Sequence, residues 1–333
     1  MRALVFTATE MLEHREAAPP MPAEGQSVVR VSRCGICGSD MHAWHGHDPR
    51  RVPPLVLGHE AVGIAETGPL AGRRVALNPL MTCGVCPACV AGREHLCPAR
   101  ELIGMRVPGA FAERVAIDSR NLTALPDSLP DERAVLAEPL AVAVHAVALG
   151  LARSPLLEGG PAVVLGGGAI GLLSALVLRA RGIGNIRVAE TAPQRRVALD
   201  RLLGAGASYD PRQVDAAPAE GTAPLAIDAV GSGVTRAAAS KLVAPGGTIV
   251  HVGLQDGADG LDTRRLTLSE ITFVGAYCYT RADFAEALAL LEQGAVDPAG
   301  WCESLPLAEG QAAFRAIDGG AAPAKLVLVP GET

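Results

Sequence analysis

The stretch from Ala162 to Glu190, AVVLGGGAIGLLSALVLRARGIGNIRVAE, limits what this chain can fold into more than any other. A short apolar run ends on three consecutive glycines, and an apolar run of helical length follows and is closed by arginines. A second short run, IRVA, then ends on Glu190. Taken as one block, the apolar part approaches the roughly 20 residues that cross a bilayer. The glycines interrupt it, so a strand, a tight turn and a helix account for it and a transmembrane segment does not. Gly166, Gly168 and Gly171 fit G-x-G-x-x-G after a strand and at the opening of a helix, the context that gives the pattern meaning. Glycines let the backbone approach a pyrophosphate, and the free N–H groups of the helix start attract it. Glu190 follows Gly171 by 19 residues, at the end of the next strand. An acid there holds both ribose hydroxyls of NAD and repels the 2′-phosphate of NADP. Arg195 and Arg196 stand close enough to face such a phosphate, so the sequence favours NAD with NADP as the alternative.

The alternation continues with PQRRVALDRLLGA, LAIDAVG, VTRAAASKLV, GGTIVHVG and ITFVGAY. Continuous β-branched runs between amphipathic helices predict a parallel sheet covered on both faces. Only PRQVDAAPAEGTAP separates ASYD from LAIDAVG, too little for a full crossover helix. Upstream, short apolar runs broken by Pro and Gly predict a β-rich, irregular region, and LAEPLAVAVHAVALGLA predicts a long, largely buried helix. The chain therefore divides into a β-rich part over 1–139, a doubly wound α/β part over 140–274, and a C-terminal return over 275–333.

A net charge of -6 and 3% aromatic residues leave no basic or stacking surface for nucleic acid. The N-terminal MRALVFTATEMLEHREAAPP lacks a long apolar core behind a basic start, so the expectation is a cytoplasmic chain with no secretory signal and no membrane association. In a reducing compartment, clustered cysteines mean metal or catalysis rather than disulfides.

Cys83, Cys86, Cys89 and Cys97 form such a cluster, with spacing C-x₂-C-x₂-C-x₇-C in a lobe over about 80–100. Four thiolates close a tetrahedral zinc site and leave no position for water or substrate, so this site is structural. An iron–sulfur cluster is the rival occupant. Chemistry is expected instead from three separated pieces: RCGICGSDMHAWHGH with Cys34, Cys37, Asp40 and His42; LGHE with His59 and Glu60; and AEPLA with Glu138. One sulfur, one imidazole and carboxylates can hold a zinc with a position left open.

The ordered set CGICGSDMH, LGHE, the four-cysteine lobe, GAFAERV, AEPLAVAVHA, GGGAIG and ALALLEQGAVD spans nearly the whole chain. With it the chain resembles the zinc-dependent medium-chain dehydrogenases, in the branch of sorbitol, L-idonate and L-threonine dehydrogenases. The resemblance implies a GroES-like catalytic domain interrupted by a Rossmann domain, two zinc ions per chain, NAD, and a homodimer or homotetramer. It makes Cys37 and His59 catalytic-zinc ligands, with Glu60 completing the set directly or by exchange and Glu138 near the metal or its water. Asp40 becomes the acceptor behind the ligand histidine, and Ser39 and His42 pass the alcohol proton toward solvent. Ile170, Glu190, Arg195 and the Val252–Gly253–Leu254 turn match dinucleotide contacts. The implied reaction is reversible oxidation of a secondary alcohol of a small molecule, a polyol or sugar acid, to a ketone through a zinc alkoxide and hydride transfer. An aminocyclitol or other cyclic polyol is the alternative substrate, and a non-catalytic NAD- and zinc-binding protein the alternative class. One departure bears on substrate: Cys278 stands where polyol dehydrogenases of this branch carry an arginine.

Overall fold

The computed structural model describes residues 1–154 and 160–331. Its chain forms two compact units, one made of Met1–Glu138 with the C-terminal segment from Thr280, the other of Pro139–Tyr279. The first boundary falls inside the helix Ala137–Leu151.

The first unit is built on a seven-stranded sheet, with outer path Leu122–Ala124, Arg74–Leu77, Glu60–Ala65, Gln26–Gly35, Lys325–Val329 and Cys302–Pro306. Arg114–Asp118 pairs with the long strand Gln26–Gly35 off this path. The final strand thus inserts beside one of the earliest, pairing antiparallel through Val327 with Gly35 and Leu328 with Cys34. On the other side of the long strand, Gly35 pairs with Glu60 and Cys34 with Ala61. Val29, Val31, Leu57, Phe111, Ile117, Phe314 and Leu328 are among its buried core residues. Each such side chain contributes roughly 1.5–3 kcal/mol on burial. A one-residue slip would turn these side chains to the opposite face, so burial locks the register and with it the neighbours of Gly35.

The second unit holds a six-stranded parallel sheet. Its strands in chain order are Ala162–Leu165, Ile186–Ala189, Ser208–Tyr209, Ala223–Asp228, Val243–His251 and Thr272–Gly275. In space they run third, second, first, fourth, fifth, sixth, the doubly wound order in which a crevice opens where the order reverses, beyond the carboxyl ends of the first and fourth strands. Where a crossover helix would normally precede the fourth strand there is only a short 3₁₀ turn, Val214–Ala216. Among the described residues no helix is long and apolar enough to cross a membrane.

Candidate active site and metal centres

Cys37 sits at the N-cap of the short helix Gly38–Trp44, and Asp40 reaches back from the first turn so that its Oδ2 accepts from the Cys37 N–H at 3.0 Å. That local cap aims the cysteine out of the helix start and turns the other carboxylate oxygen toward His59. Asp40 Oδ1 lies 3.6 Å from His59 Nδ1, both groups being buried. A carboxylate facing Nδ1 leaves Nε2 as the nitrogen available to a metal. Glu60, one residue on, opens the strand Glu60–Ala65. Ligand atoms of Cys37, His59 and Glu60 all lie within 4.8 Å of one another. Glu138 lies outside this group; it is buried and close enough to influence Lys325.

The electrostatics of the pocket are those of a site built around charge. Burial opposes a charged His59, but the Asp40 carboxylate and the neighbouring Cys37 outweigh it and raise the imidazole well above its ordinary value. Burial likewise opposes an ionised Asp40, and His59 and Arg51 overcome that, holding the carboxyl low. Glu60 pairs with Lys325, each side chain at most 2% exposed, and the Lys325 ammonium also donates to the Ile36 carbonyl at 2.9 Å. The two charged ends meet over Gly35, where a Cβ would come within 2.1 Å of Glu60 Oε2 and 2.9 Å of Lys325 Cε. Burial disfavours the lysine cation, but Glu60 and then Cys37 hold it charged, so its titration moves up. Among the described residues, Glu60 Oε1 and His59 Nδ1 have no hydrogen-bond partner. A half-buried cysteine, a buried imidazole and a carboxylate oxygen at this spacing fit zinc.

Ser39 and His42 lie on the same short helix, both half-buried. Burial first, then His47 and Arg51, hold the His42 ring below its ordinary value, so it is neutral near pH 7. Arg51, 3% exposed, donates to Ser39 Oγ (3.2 Å), to the Ser39 carbonyl (3.2 Å), to Gly104 O (2.9 Å) and to Asp48 (2.7 Å). Cys34 is fully buried, and burial followed by the Asp40 and Glu60 carboxylates pushes its thiol far up. It packs; it does not join the donor group.

Sequence reasoning missed Lys325 and Arg51. A lysine opening the apolar run KLVLV was the one available signal for the first. Nothing local marked the second.

The four cysteines also converge. Cys86–Cys89 and Cys83–Cys97 sulfur pairs are 3.5 Å apart and Cys83–Cys89 3.9 Å. Four sulfurs at about 2.3 Å from one zinc stand roughly 3.8 Å from each other, so the spacing fits a single ion better than a polynuclear cluster. N–H groups of Val85 and Cys86 point at Cys83 and bring that thiol down to about 6, so a thiolate is ready near neutrality. Glu94 of the same lobe accepts from the N–H of Arg281 at 2.6 Å, tying the lobe to the start of the helix Arg281–Glu292.

In the second unit the glycine turn lies between Leu165 and the helix Ala169–Ala180. Gly166 takes φ +95°, and a Cβ on Gly171 would come 1.8 Å from the Gly166 oxygen, so neither position accepts a side chain. Gly168 is the N-cap, and Ile170 lies in the first turn, half-buried. Glu190 bonds back to the turn, Oε2 accepting from Gly167 N at 2.9 Å and Oε1 from Ala192 N at 2.7 Å. Arg196 is committed to the Glu190 and Thr191 carbonyls, 2.8 and 2.9 Å away, and to Asp210. Arg195 lies half-buried near the start of the helix Pro193–Leu203. The Val252–Gly253–Leu254 turn leaves the fifth strand at the same carboxyl edge of the sheet.

Comparison with known proteins agrees with both halves of this picture. Residues 23–127 match the alcohol dehydrogenase GroES-like domain, and residues 169–293 match the zinc-binding dehydrogenase domain. The chain is 35% identical over 312 residues to 2-dehydro-3-deoxy-L-galactonate 5-dehydrogenase of Pseudoalteromonas atlantica, covering 90% of this chain and 89% of that one. It is 32% identical to L-galactonate-5-dehydrogenase of Escherichia coli, covering 89% and 88%. Among solved structures, the alcohol dehydrogenase TADH from Thermus sp. ATN1 superposes with a TM-score of 0.86 at 29% identity, covering 99% of this chain and all of that one.

Proposed function

Because the chain belongs to the zinc-binding dehydrogenase family with a GroES-like alcohol dehydrogenase domain, we propose that it oxidises a secondary hydroxyl of a sugar acid, reversibly, to a ketone with NAD. It is a zinc-dependent oxidoreductase acting on a small-molecule alcohol. The observation that carries the reading is the Cys37–His59–Glu60 group, its ligand atoms within 4.8 Å of one another, with His59 and Glu60 buried and charged partners on both sides. The names of the two relatives above, both dehydrogenases of galactonate-type acids, favour a sugar acid over a cyclic polyol.

In this reading the unit of Met1–Glu138 with the C-terminal segment is catalytic and the other unit holds the dinucleotide. Cys37 and His59 would hold the catalytic zinc, with Glu60 completing the set directly or by exchange, and Glu138 would stand near it. The ion supplies Lewis acidity that lowers the pKa of an alcohol, and NAD takes the hydride. The chain's own groups do the rest. The Asp40 carboxylate, 3.6 Å from His59 Nδ1, favours the proton on that nitrogen and so leaves Nε2 as the one that could bind the metal. Lys325 offsets the Glu60 charge in a dry pocket. Ser39 Oγ would accept the alcohol proton as it releases its own, and the His42 ring, neutral at pH 7, would take up a proton at a ring nitrogen on the way to solvent. Gly166, Gly168, Ile170 and Gly171 bind the pyrophosphate side, Arg195 and the Val252–Gly253–Leu254 turn add contacts, and Glu190 orients the ribose. Commitment of Arg196 to protein carbonyls favours NAD over NADP. Cys83, Cys86, Cys89 and Cys97 hold the structural zinc. A homodimer or homotetramer in the cytoplasm completes the reading.

The test is NADH formation by zinc-loaded protein across aldonic acids, acyclic polyols, cyclitols, threonine and simple secondary alcohols, with NADP in parallel and zinc counted. Two zinc ions per chain and fastest turnover among the aldonic acids with NAD are expected. A single zinc per chain with no alcohol oxidised would sink the enzyme reading.

A further inference from the structure

The carboxyl ends of the strands Ala223–Asp228 and Val243–His251 lead into loops 229–232 and 252–262 on the crevice side of the parallel sheet. These loops are pressed backbone to backbone: a Cβ on Gly253 would lie 2.1 Å from the Val230 carbonyl carbon, and one on Gly231 would lie 2.0 Å from the Gly253 oxygen. Asp228 ties the near end of the pair. Its carbonyl accepts from Val252 N at 2.9 Å and Gly253 N at 3.0 Å. Its carboxylate accepts from Val230 N (3.1 Å), Gly231 N (2.8 Å) and Thr235 Oγ1 (3.0 Å).

The far end is tied by Arg236, on the helix Gly233–Leu242 and only 5% exposed. Its guanidinium donates to Gly231 O (2.9 Å), Gly257 O (2.6 Å), Asp256 Oδ1 (3.0 Å) and Asp259 O (2.5 Å), and faces His251 Nε2 at 3.4 Å. Asp256 Oδ1 also accepts from Gly233 N at 3.0 Å. One planar fork therefore joins the end of the fifth strand, the turn after the fourth, and the distal half of the long loop. A lysine, a point charge with three donors, cannot reproduce that spread. Asp256 is itself 54% exposed, so carbonyl oxygens supply much of the compensation for the buried cation.

We propose that Arg236 is a positioning residue for the dinucleotide: it holds loop 252–260 against the turn at Val230–Gly231 so that the Val252–Gly253–Leu254 turn is shaped before the cofactor arrives. This rests on the dinucleotide reading above and adds to it a residue outside the glycine motif. A loop that must be ordered at the moment of binding weakens affinity, whereas a loop ordered by folding does not. Loss of Arg236 therefore raises the dissociation constant for the cofactor without touching the metal donors.

Arg236→Met and Arg236→Lys are compared with wild type by NADH fluorescence titration, KM for NAD against kcat, amide hydrogen exchange over 252–260, and zinc content. Arg236→Met is expected to weaken NADH by about tenfold or more, with kcat within about threefold. Faster exchange across 252–260 and unchanged zinc should accompany it, and Arg236→Lys should recover little of the loss. NADH affinity within twofold of wild type overturns the assignment, as does weakened affinity with the loop amides unchanged, which would mean a charge effect rather than positioning. If Arg236→Met does not fold, Asp256→Asn carries the test: a rise of roughly two- to fivefold in the dissociation constant is expected, and no rise overturns the proposal. Wild-type protein that takes up no NADH would refute the dinucleotide reading itself, and this assignment with it.

Discussion

The two metal-donor groups of the first unit are opposites in construction. The four-cysteine group draws every donor from one short loop, Cys83 to Cys97, with three of its cysteines half-exposed. The Cys37–His59–Glu60 group draws on a helix cap and a strand start, is mostly buried, and is flanked by Asp40 on one side and Lys325 on the other. A local, all-thiolate site more than offsets the charge of its own ion, and N–H groups of its own loop, Val85 and Cys86 among them, face the excess. A mixed site with an open position carries less ligand charge and keeps ionisable groups in a dry place, so it must import counter-charges from elsewhere in the fold. Closure and openness thus have different structural costs, and the open site is where the fold is stretched.

Independence of the two sites is the first thing to break. Cys37→Ala is expected to reduce turnover by roughly a thousandfold, the several kcal/mol that metal polarisation supplies. It should keep one zinc per chain and native NADH binding. Cys97→Ser should do the reverse, losing the other zinc and stability first. Loss of both ions in either variant would end the comparison. Next in size is Lys325→Met, which strands a buried carboxylate and should cost about 3–5 kcal/mol of unfolding free energy in denaturant titrations. Adding Glu60→Gln should return most of it, and a double variant as unstable as the single one would show that the ammonium matters for packing rather than charge.

A smaller effect separates the sites by their supports. Asp40→Asn is expected to weaken zinc at the open site by about 10–100-fold in chelator competition and leave the four-cysteine site unchanged. Smallest is an acid limb. Asp48 is opposed by burial but held down to about 2 by Arg50 and Arg51, against an ordinary carboxyl value near 3.8. Its depressed titration stabilises the fold above about pH 4, and that contribution disappears as pH falls through about 2. Thermal unfolding of wild type and Asp48→Asn between pH 5 and pH 2 should favour wild type by about 1 kcal/mol at pH 5 and converge at the acid end.

What could be read from the residues followed the same divide. The four-cysteine spacing, the glycine turn with Glu190, and the strand–helix alternation of the second unit are all local, and each stands in the structure where its spacing put it. Asp40 was legible because it sits three residues from Cys37 on a helix cap. The Lys325–Glu60 pair was not, because sheet pairing brings Lys325 beside Ile36 across 289 positions of sequence. Arg51 and Arg236 were illegible for a related reason: two of Arg51's four partners and three of Arg236's five are backbone carbonyls, which leave no trace in residue identity. Glu138 rests on resemblance alone: it lies outside the 4.8 Å donor group, buried and close enough to influence Lys325, and its role near the metal is a proposal.

The insertion of the last strand beside Gly35 also sets a schedule. During synthesis the chain passes from Glu60 to Lys325 in roughly 13–50 s at 5–20 residues per second, and the whole second unit emerges in that interval. Until the final strand arrives, the Cys34–Gly35 end of the long strand lacks its partner on that side and Glu60 lacks the Lys325 cation, so a nascent chain has its four-cysteine loop long before its second donor group is neutralised. A chain ended after Pro323 is accordingly expected to capture metal in the loop and not at Cys37. Translation thus completes the local donor group first and the one assembled by the fold last.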